Sequence, residues 1–404
     1  MARFEPFPGV RYDTRRVSLD DVVAPPYDVI GESDLQALSA RSPYNAVGIE
    51  LSQPDGGRDR YEAARCRFDE WLTTGVLVVD PEPAFYAYKM GFRDETGRAR
   101  QTSGVIGALE LAGAGRTDVL PHERTMRKAK DDRLRLMRAC RANVSPIWGL
   151  SLAGGLSALC DAVGPPVARC TDDDGVHHRL WRIDQPATLD AIRRTVASAP
   201  VVIADGHHRY ETALTYREER RAEIGDGPAG HDLVLAYLVE LVEEQLSVGP
   251  IHRLMSGLPD DFDPAEALAS DFEVTEGEAP GDNLPELMAS ADAFALVVPG
   301  RTWWLRLRSN GRGENGAGVA DQPDAALLER SVAAWPEHHT DYPHRTADVV
   351  AAVGDGSAQA GLVLRAATVD QIARTARAGD RMPQKTTFFR PKPRTGLLFR
   401  RLGD

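Results

Sequence analysis

Two rhythms of apolar spacing run through the start of the chain. Residues 22–30 read as a strand entering the corner Pro25-Pro26-Tyr27-Asp28, after which Ser33 can cap a short helix through Ala40. Tyr61, Ala64, Phe68, Trp71 and Leu72 then recur at helical spacing, and Gly75 supplies the left-handed residue that stops that helix before a strand over 76–79. Residues 85–92 and 105–111 flank a polar segment and read as antiparallel strands joined by a turn at Glu95-Thr96-Gly97. A charged stretch follows from Leu120, and its continuation puts Leu134, Met137 and Cys140 on one face of a helix.

The sharpest pattern lies between Thr188 and Arg217. Thr188 can cap a helix with Leu189, Ile192 and Val196 on one face, and Pro200 breaks it ahead of the apolar run 201–204, short enough to be a buried strand. From Arg209 the spacing is helical again, with Tyr210, Ala213, Leu214 and Arg217 on one side. Farther on, 293–298, 302–307 and 361–365 read as strands, 325–334 as a helix, and Thr368 caps a helix carrying Val369, Ile372 and Ala373. Residues 311–322, glycine-rich and poor in core side chains, read as a mobile surface loop. Strands interleaved with helices throughout predict a mixed α/β fold.

Composition narrows the function classes. A chain of 404 residues with 42% hydrophobic and 27% charged residues is long enough for a sizeable core and rules out long disorder. Its 48 Lys and Arg against 60 Asp and Glu give a net charge of −12, which speaks against non-specific nucleic-acid binding while leaving room for a local basic pocket. Cys66, Cys140, Cys160 and Cys170 share no CxxC spacing, so neither a zinc site nor a redox dithiol is expected, and no metal ligands are assigned. Without a signal-peptide core at the N-terminus or an apolar run of roughly 20 residues, a cytoplasmic protein with no membrane partner is expected.

Candidate chemistry centres on Val201-Val-Ile-Ala-Asp-Gly-His-His-Arg-Tyr-Glu-Thr-Ala-Leu214. A buried strand that ends at Asp205-Gly206 and opens into a helix presents N-terminal N–H groups, a ready anion site. Gly206 permits close backbone approach, while His207, His208 and Arg209 add donors and charge suited to phosphate. A plainer alternative has Asp205 capping the helix and the histidines as polar surface. Asp172-Asp-Asp-Gly175 lacks the remaining ligands of a calcium loop and reads as a turn, and His177-His178-Arg179 reads as the polar face of a strand. Gly104 and Gly107 form no dinucleotide-binding pattern.

Asp-Gly-His-His-Arg after a hydrophobic strand resembles the phosphate-binding signature of the ParB and sulfiredoxin superfamily, particularly its free serine kinases. The chain is more similar still to a bacterial family of uncharacterised proteins, domain of unknown function 1015. That likeness is carried by Pro6-Phe-Pro-Gly-Val-Arg-Tyr12, Val23-Ala-Pro-Pro-Tyr-Asp-Val-Ile30, Pro121-His-Glu-Arg-Thr125, Asp132-Arg-Leu134, Asn143-Val-Ser-Pro-Ile147, the Asp205 block and Met382-Pro-Gln-Lys-Thr-Thr-Phe-Phe389. The resemblance implies a ParB/sulfiredoxin-like core over residues 81–255, with an N-terminal α/β segment over 1–80 and a C-terminal region over 256–404 that closes the site.

By the same resemblance, Glu123 would be the general base that takes the proton of a substrate hydroxyl, and His122 would orient either partner. Lys385, Thr386 and Thr387 would meet phosphate or substrate, with Thr386 standing where the related families usually carry serine. The implied activity is phosphoryl transfer from ATP or ADP, with Mg²⁺ bridging the phosphates, to a small hydroxylated metabolite, free L-serine foremost. The alternative is a nucleotide-binding regulatory or protein-interaction module without kinase activity.

Overall fold

The computed structural model describes residues 2–94, 97–113, 118–121, 127–161, 164–225, 227–281, 283–308, 322–380 and 382–403, without the side chains of 121 and 127–130. The chain divides into two compact units: Met1–Ser247 together with Pro391–Asp404, and Val248–Arg390. No helix among the described residues is long and apolar enough to cross a membrane.

A nine-stranded mixed sheet organises the first unit. Its strands are β1 (Phe4–Glu5), β2 (Phe85–Arg93), β3 (Ala99–Glu110), β4 (Val119–Pro121), β5 (Ile147–Ser151), β6 (Ala168–Thr171), β7 (His177–Ile183), β8 (Val201–Asp205) and β9 (Leu233–Glu240). They lie in the order β4-β8-β5-β9-β3-β2-β7-β6, with β1 paired to β3. β8 runs parallel to β4, and β9 parallel to β5, while the other neighbours are antiparallel. The helices of this unit include α1 (Glu32–Arg41), α2 (Val47–Glu50), α3 (Arg60–Thr73), α4 (Arg127–Cys140), α5 (Pro186–Ala197), which packs on the sheet, and α6 (His207–Ile224); α2, α4 and α6 supply charged residues of the site.

Alternation along the strands explains why the sheet is buried on both faces. Phe85, Ala87, Val105 and Ile203 share a core with Leu134 and Met137 of α4, Ile192 and Val196 of α5, and Tyr210 and Ala213 of α6. On the alternate positions Tyr86, Tyr88, Trp148 and Tyr237 are almost wholly buried, with Tyr88 and Tyr237 ring centroids 5.0 Å apart. Buried phenols need partners. Tyr86 donates to Asp80 at 2.7 Å and accepts from the Gly9 N–H at 3.0 Å.

The second unit holds a six-stranded antiparallel sheet of β10 (Arg253–Ser256), β11 (Phe272–Glu276), β12 (Phe294–Val298), β13 (Arg301–Leu307), β14 (His339–Asp341) and β15 (Ala360–Val363), ordered β11-β13-β12-β15-β10-β14. Its core includes Phe272, Phe294, Leu305 and Leu362 with Leu328 of α7 (Asp324–Ala333). Thr368 caps α8 (Val369–Ala378) as its sequence predicts, accepting from the Gln371 N–H at 3.1 Å. The expected loop over 311–322 falls outside the described residues except for Gln322.

Four local expectations are corrected. Thr188 lies inside α5, which opens at Pro186 after Gln185, so it does not cap that helix. Residues 22–30 form no strand: Val22 ends a helical turn over Leu19–Val22, Tyr27–Val29 is a turn of 3₁₀ helix, and the prolines between lack ladder N–H groups. Ser33 lies inside α1, whose start is set by Gly31, with the Gly31 N–H donating to Asp34 at 3.0 Å. His178 is fully buried, because Asp172 in the preceding turn and Tyr88 on β2 satisfy both ring nitrogens at 2.9 and 2.8 Å.

Candidate functional site

β8 is buried from Val201 through Ala204, as four consecutive apolar residues require, and ends at Asp205. Gly206 then takes φ 90°, a conformation costly for any residue with a Cβ, and α6 begins at His207. The strand-to-helix turn read from the sequence is therefore present. Asp205 does not cap α6, for no side-chain cap bond is made there. Its carboxylate instead accepts from Arg209 Nη2 at 2.7 Å and from Lys392 Nζ at 2.8 Å. Burial pushes the Asp205 carboxyl up, but the Lys392 ammonium and Arg209 guanidinium outweigh it and bring it down to about 2.

Arg209 is buried, and its guanidinium faces inward beneath the turn. A second bond runs from Nη1 to the Pro146 carbonyl, and a Cβ added at Gly206 would lie 3.0 Å from the Arg209 side chain. Glycine at 206 thus serves both the backbone angle and the arginine. Lys392 also donates to Asp28 at 3.1 Å, which ties the Pro25-Pro26-Tyr27-Asp28 corner to the same ammonium.

Behind Arg209 lies a second charged layer. Glu50, at the end of α2, is 1% exposed and accepts from Arg133 Nη1 at 3.0 Å and Ser145 Oγ at 3.3 Å. Burial pushes the Glu50 carboxyl up, against the Arg133 and Arg209 guanidiniums that draw it down. Arg133 in α4 also pairs with Asp132 and sits 4.3 Å over the Tyr27 ring. Segments that read as separate motifs thus meet: Tyr27 and Asp28, Asp132 and Arg133, Ser145 and Pro146, Asp205 and Arg209. Burying Arg133 and Arg209, and half-burying Lys392, beside carboxylates is stable only with this degree of mutual pairing.

Lys392 arrives on the segment that returns to the first unit after Arg390. That segment is fixed at several points. Arg394 bonds Asp172 and donates its N–H to the Tyr88 hydroxyl at 3.3 Å, and Thr395 and Phe399 bridge to Ala24 and Val10. Arg400 Nη1 donates to Asn143 at 3.3 Å and to the Leu233 carbonyl at 2.9 Å. Asp172 accepts from His178 Nε2 as well, so His178 Nδ1 is the acceptor for the Tyr88 hydroxyl. Burial draws the His178 ring down toward this neutral form.

The other expected site residues stand apart from this description. His122 and Glu123 lie outside the described residues. Lys385, Thr386 and Thr387 belong to the second unit, where Lys385 has φ 58°, both threonines are buried and Thr386 Oγ1 donates to the Pro383 carbonyl at 2.7 Å. His207 is buried and His208 half-buried. Sequence reading missed Lys392 and Glu50 altogether, and gave Asp28 and Arg133 no role. Lys392 stands between two prolines, the one local sign that its extended backbone is fixed. Among the described residues no cluster of three or more His, Cys, Asp or Glu could hold a metal ion.

Three solved structures similar to the chain are a conserved hypothetical protein from Pyrococcus furiosus, a free serine kinase in complex with AMP, and SbnI with a C-terminal truncation from Staphylococcus aureus. Identities are 15%, 15% and 11%, each with a TM-score of 0.36. The alignments cover 72%, 71% and 72% of this chain and 91%, 87% and 85% of those chains. No curated protein matches. The model of the family described as protein of unknown function (DUF1015) matches residues 4–331, a span that includes the Asp28, Arg133, Ser145 and Asp205 segments gathered above, and the chain belongs to that family.

Proposed function

We propose that the protein is a nucleotide-dependent phosphotransferase acting on a small hydroxylated metabolite, with free L-serine as the leading acceptor. The observation that carries this reading is the buried strand β8 turning through a left-handed Gly206 into the eighteen-residue helix α6, with Asp205 locked to two cations. First-turn N–H groups of such a helix have no carbonyl within the helix to bond and favour an anion. Phosphates of ATP or ADP would lie along Gly206, His207 and His208, with Arg209 beneath the turn. Mg²⁺ would accompany the nucleotide and offset the charge of its phosphates. Glu123 would accept the hydroxyl proton and His122 would orient it, while Lys385, Thr386 and Thr387 would contact substrate or phosphate.

The test is a screen of the purified full chain with ATP or ADP and Mg²⁺ against hydroxylated metabolites, L-serine first, read as phosphorylated product. Glu123→Gln is expected to keep nucleotide affinity while turnover falls about 10²–10⁴-fold. Nucleotide binding without turnover on any acceptor would instead support a regulatory module, and undiminished turnover in Glu123→Gln would remove the base.

A further inference from the structure

A cavity of about 30 Å³ lies within the first unit, lined by Glu50, Arg133, Asn143, Ser145, Arg209 and Thr212 together with apolar residues of α4 and β9. Among the described residues, three buried polar atoms of these lining side chains have no hydrogen-bond partner: Glu50 Oε2, Arg209 Nε and Thr212 Oγ1. The side chains are at least nine-tenths buried, Glu50 at 1%, Arg209 at 9% and Thr212 at 1% exposed. Unsatisfied groups at such depth are costly, at about 1–3 kcal/mol each. Their chemistry is complementary. Arg209 Nε can only donate, Glu50 Oε2 as carboxylate can only accept, and Thr212 Oγ1 can do either.

We propose that this cavity holds one ordered water, accepting from Arg209 Nε and donating to Glu50 Oε2 and Thr212 Oγ1, and that the water completes a cradle in which Arg209 is a positioning residue for the Asp205-Gly206 turn. The volume exceeds what a single water needs, about 10–15 Å³. With the water in place all three faces of the guanidinium are engaged: Pro146 O on Nη1, Asp205 Oδ2 on Nη2 and water on Nε. A planar fork so held fixes the carboxylate of Asp205, hence the angle at which β8 hands over to α6. Glu50 and Thr212 then act on the turn only through Arg209. The service to a phosphate site rests on the function proposed above, whereas the water does not.

A crystal structure of the full chain at a resolution that shows waters is expected to place density within about 2.7–3.2 Å of all three atoms. Absence of that density, or uptake of xenon into the cavity, overturns the water site, since apolar gas occupies dry cavities. Positioning is read from tripolyphosphate titration of Arg209→Lys and Arg209→Ala. Both should weaken binding about tenfold or more, because lysine keeps the charge and loses the fork, and both should keep the salt dependence of the wild type. A lysine variant that restores affinity, with a shallower salt dependence in the alanine variant, would make Arg209 a direct phosphate ligand and overturn the positioning role. Thr212→Val, nearly isosteric, should lose the water and lower affinity about threefold while leaving the fold intact, a milder perturbation should the arginine variants misfold. No tripolyphosphate binding in the wild type overturns the phosphate reading and Arg209's service to it, and the crystal density then judges the water alone.

Discussion

Replacing Asp205 by asparagine tests the electrostatics of the turn directly. The carboxyl is held at about 2 against an ordinary 3.8, because Lys392 and Arg209 outweigh the opposing effect of burial. At about 1.4 kcal/mol for each tenfold change in proton affinity, that depression corresponds to about 2 kcal/mol of folding stability. The sign follows from the direction. A carboxyl depressed by folding contributes stability that is fully present above its unfolded value of 3.8 and is lost as pH falls through about 2. Asp205→Asn keeps the shape and one acceptor oxygen but loses the charge. It should therefore be less stable than wild type by about 2 kcal/mol at pH 7, with the gap narrowing from about pH 4 toward pH 2. Hydrogen exchange of peptides spanning residues 201–224, followed along a urea series at several pH values, reports this segment rather than the second unit. A gap that stays constant across that window, or a variant as stable as wild type at neutral pH, would refute the reasoning.

The second charged layer and the returning segment give two further expectations. Arg133→Ala would leave Glu50 buried without its closest cation and should destabilise the first unit by about 3–5 kcal/mol, whereas the apolar pair Arg133→Met with Glu50→Leu should recover most of it, both measured by denaturant unfolding. Gly230→Ala would drive a Cβ into the Leu402 carbonyl oxygen, so the segment must shift, costing about 1–3 kcal/mol and opening the chain beyond Arg400 to limited proteolysis, seen as clipped mass.

Local physics made the centre of the site legible. An unbroken apolar run, a glycine and a helical rhythm from Arg209 were enough to predict β8, the turn and α6, because each depends on neighbours within a few residues. The same reasoning succeeded for the Thr368 cap and the helix carrying Leu134 and Met137. What it could not supply were partners distant in the chain. Asp205 looks like a cap until Lys392 is known to lie beside it, and His178 looks like a surface residue until Asp172 and Tyr88 close on it. Glu50 belongs to no motif. A single acid in a four-residue helix carries no periodic signal, and only the fold reveals that Arg133 and Ser145 surround it.

Order of synthesis adds a consequence to the returning segment. Asp205 and Lys392 stand 187 positions apart, with all of the second unit encoded between them. At about 5–20 residues per second, the ribosome releases the aspartate on the order of ten to forty seconds before the lysine that pairs with it. During that interval Asp205 lacks the Lys392 ammonium and can pair only within its own segment, with Arg209 four residues on. A nascent chain stalled anywhere in the second unit would carry the whole Asp-Gly-His-His-Arg sequence without a finished site, so completion of the turn reports that the intervening residues have been made.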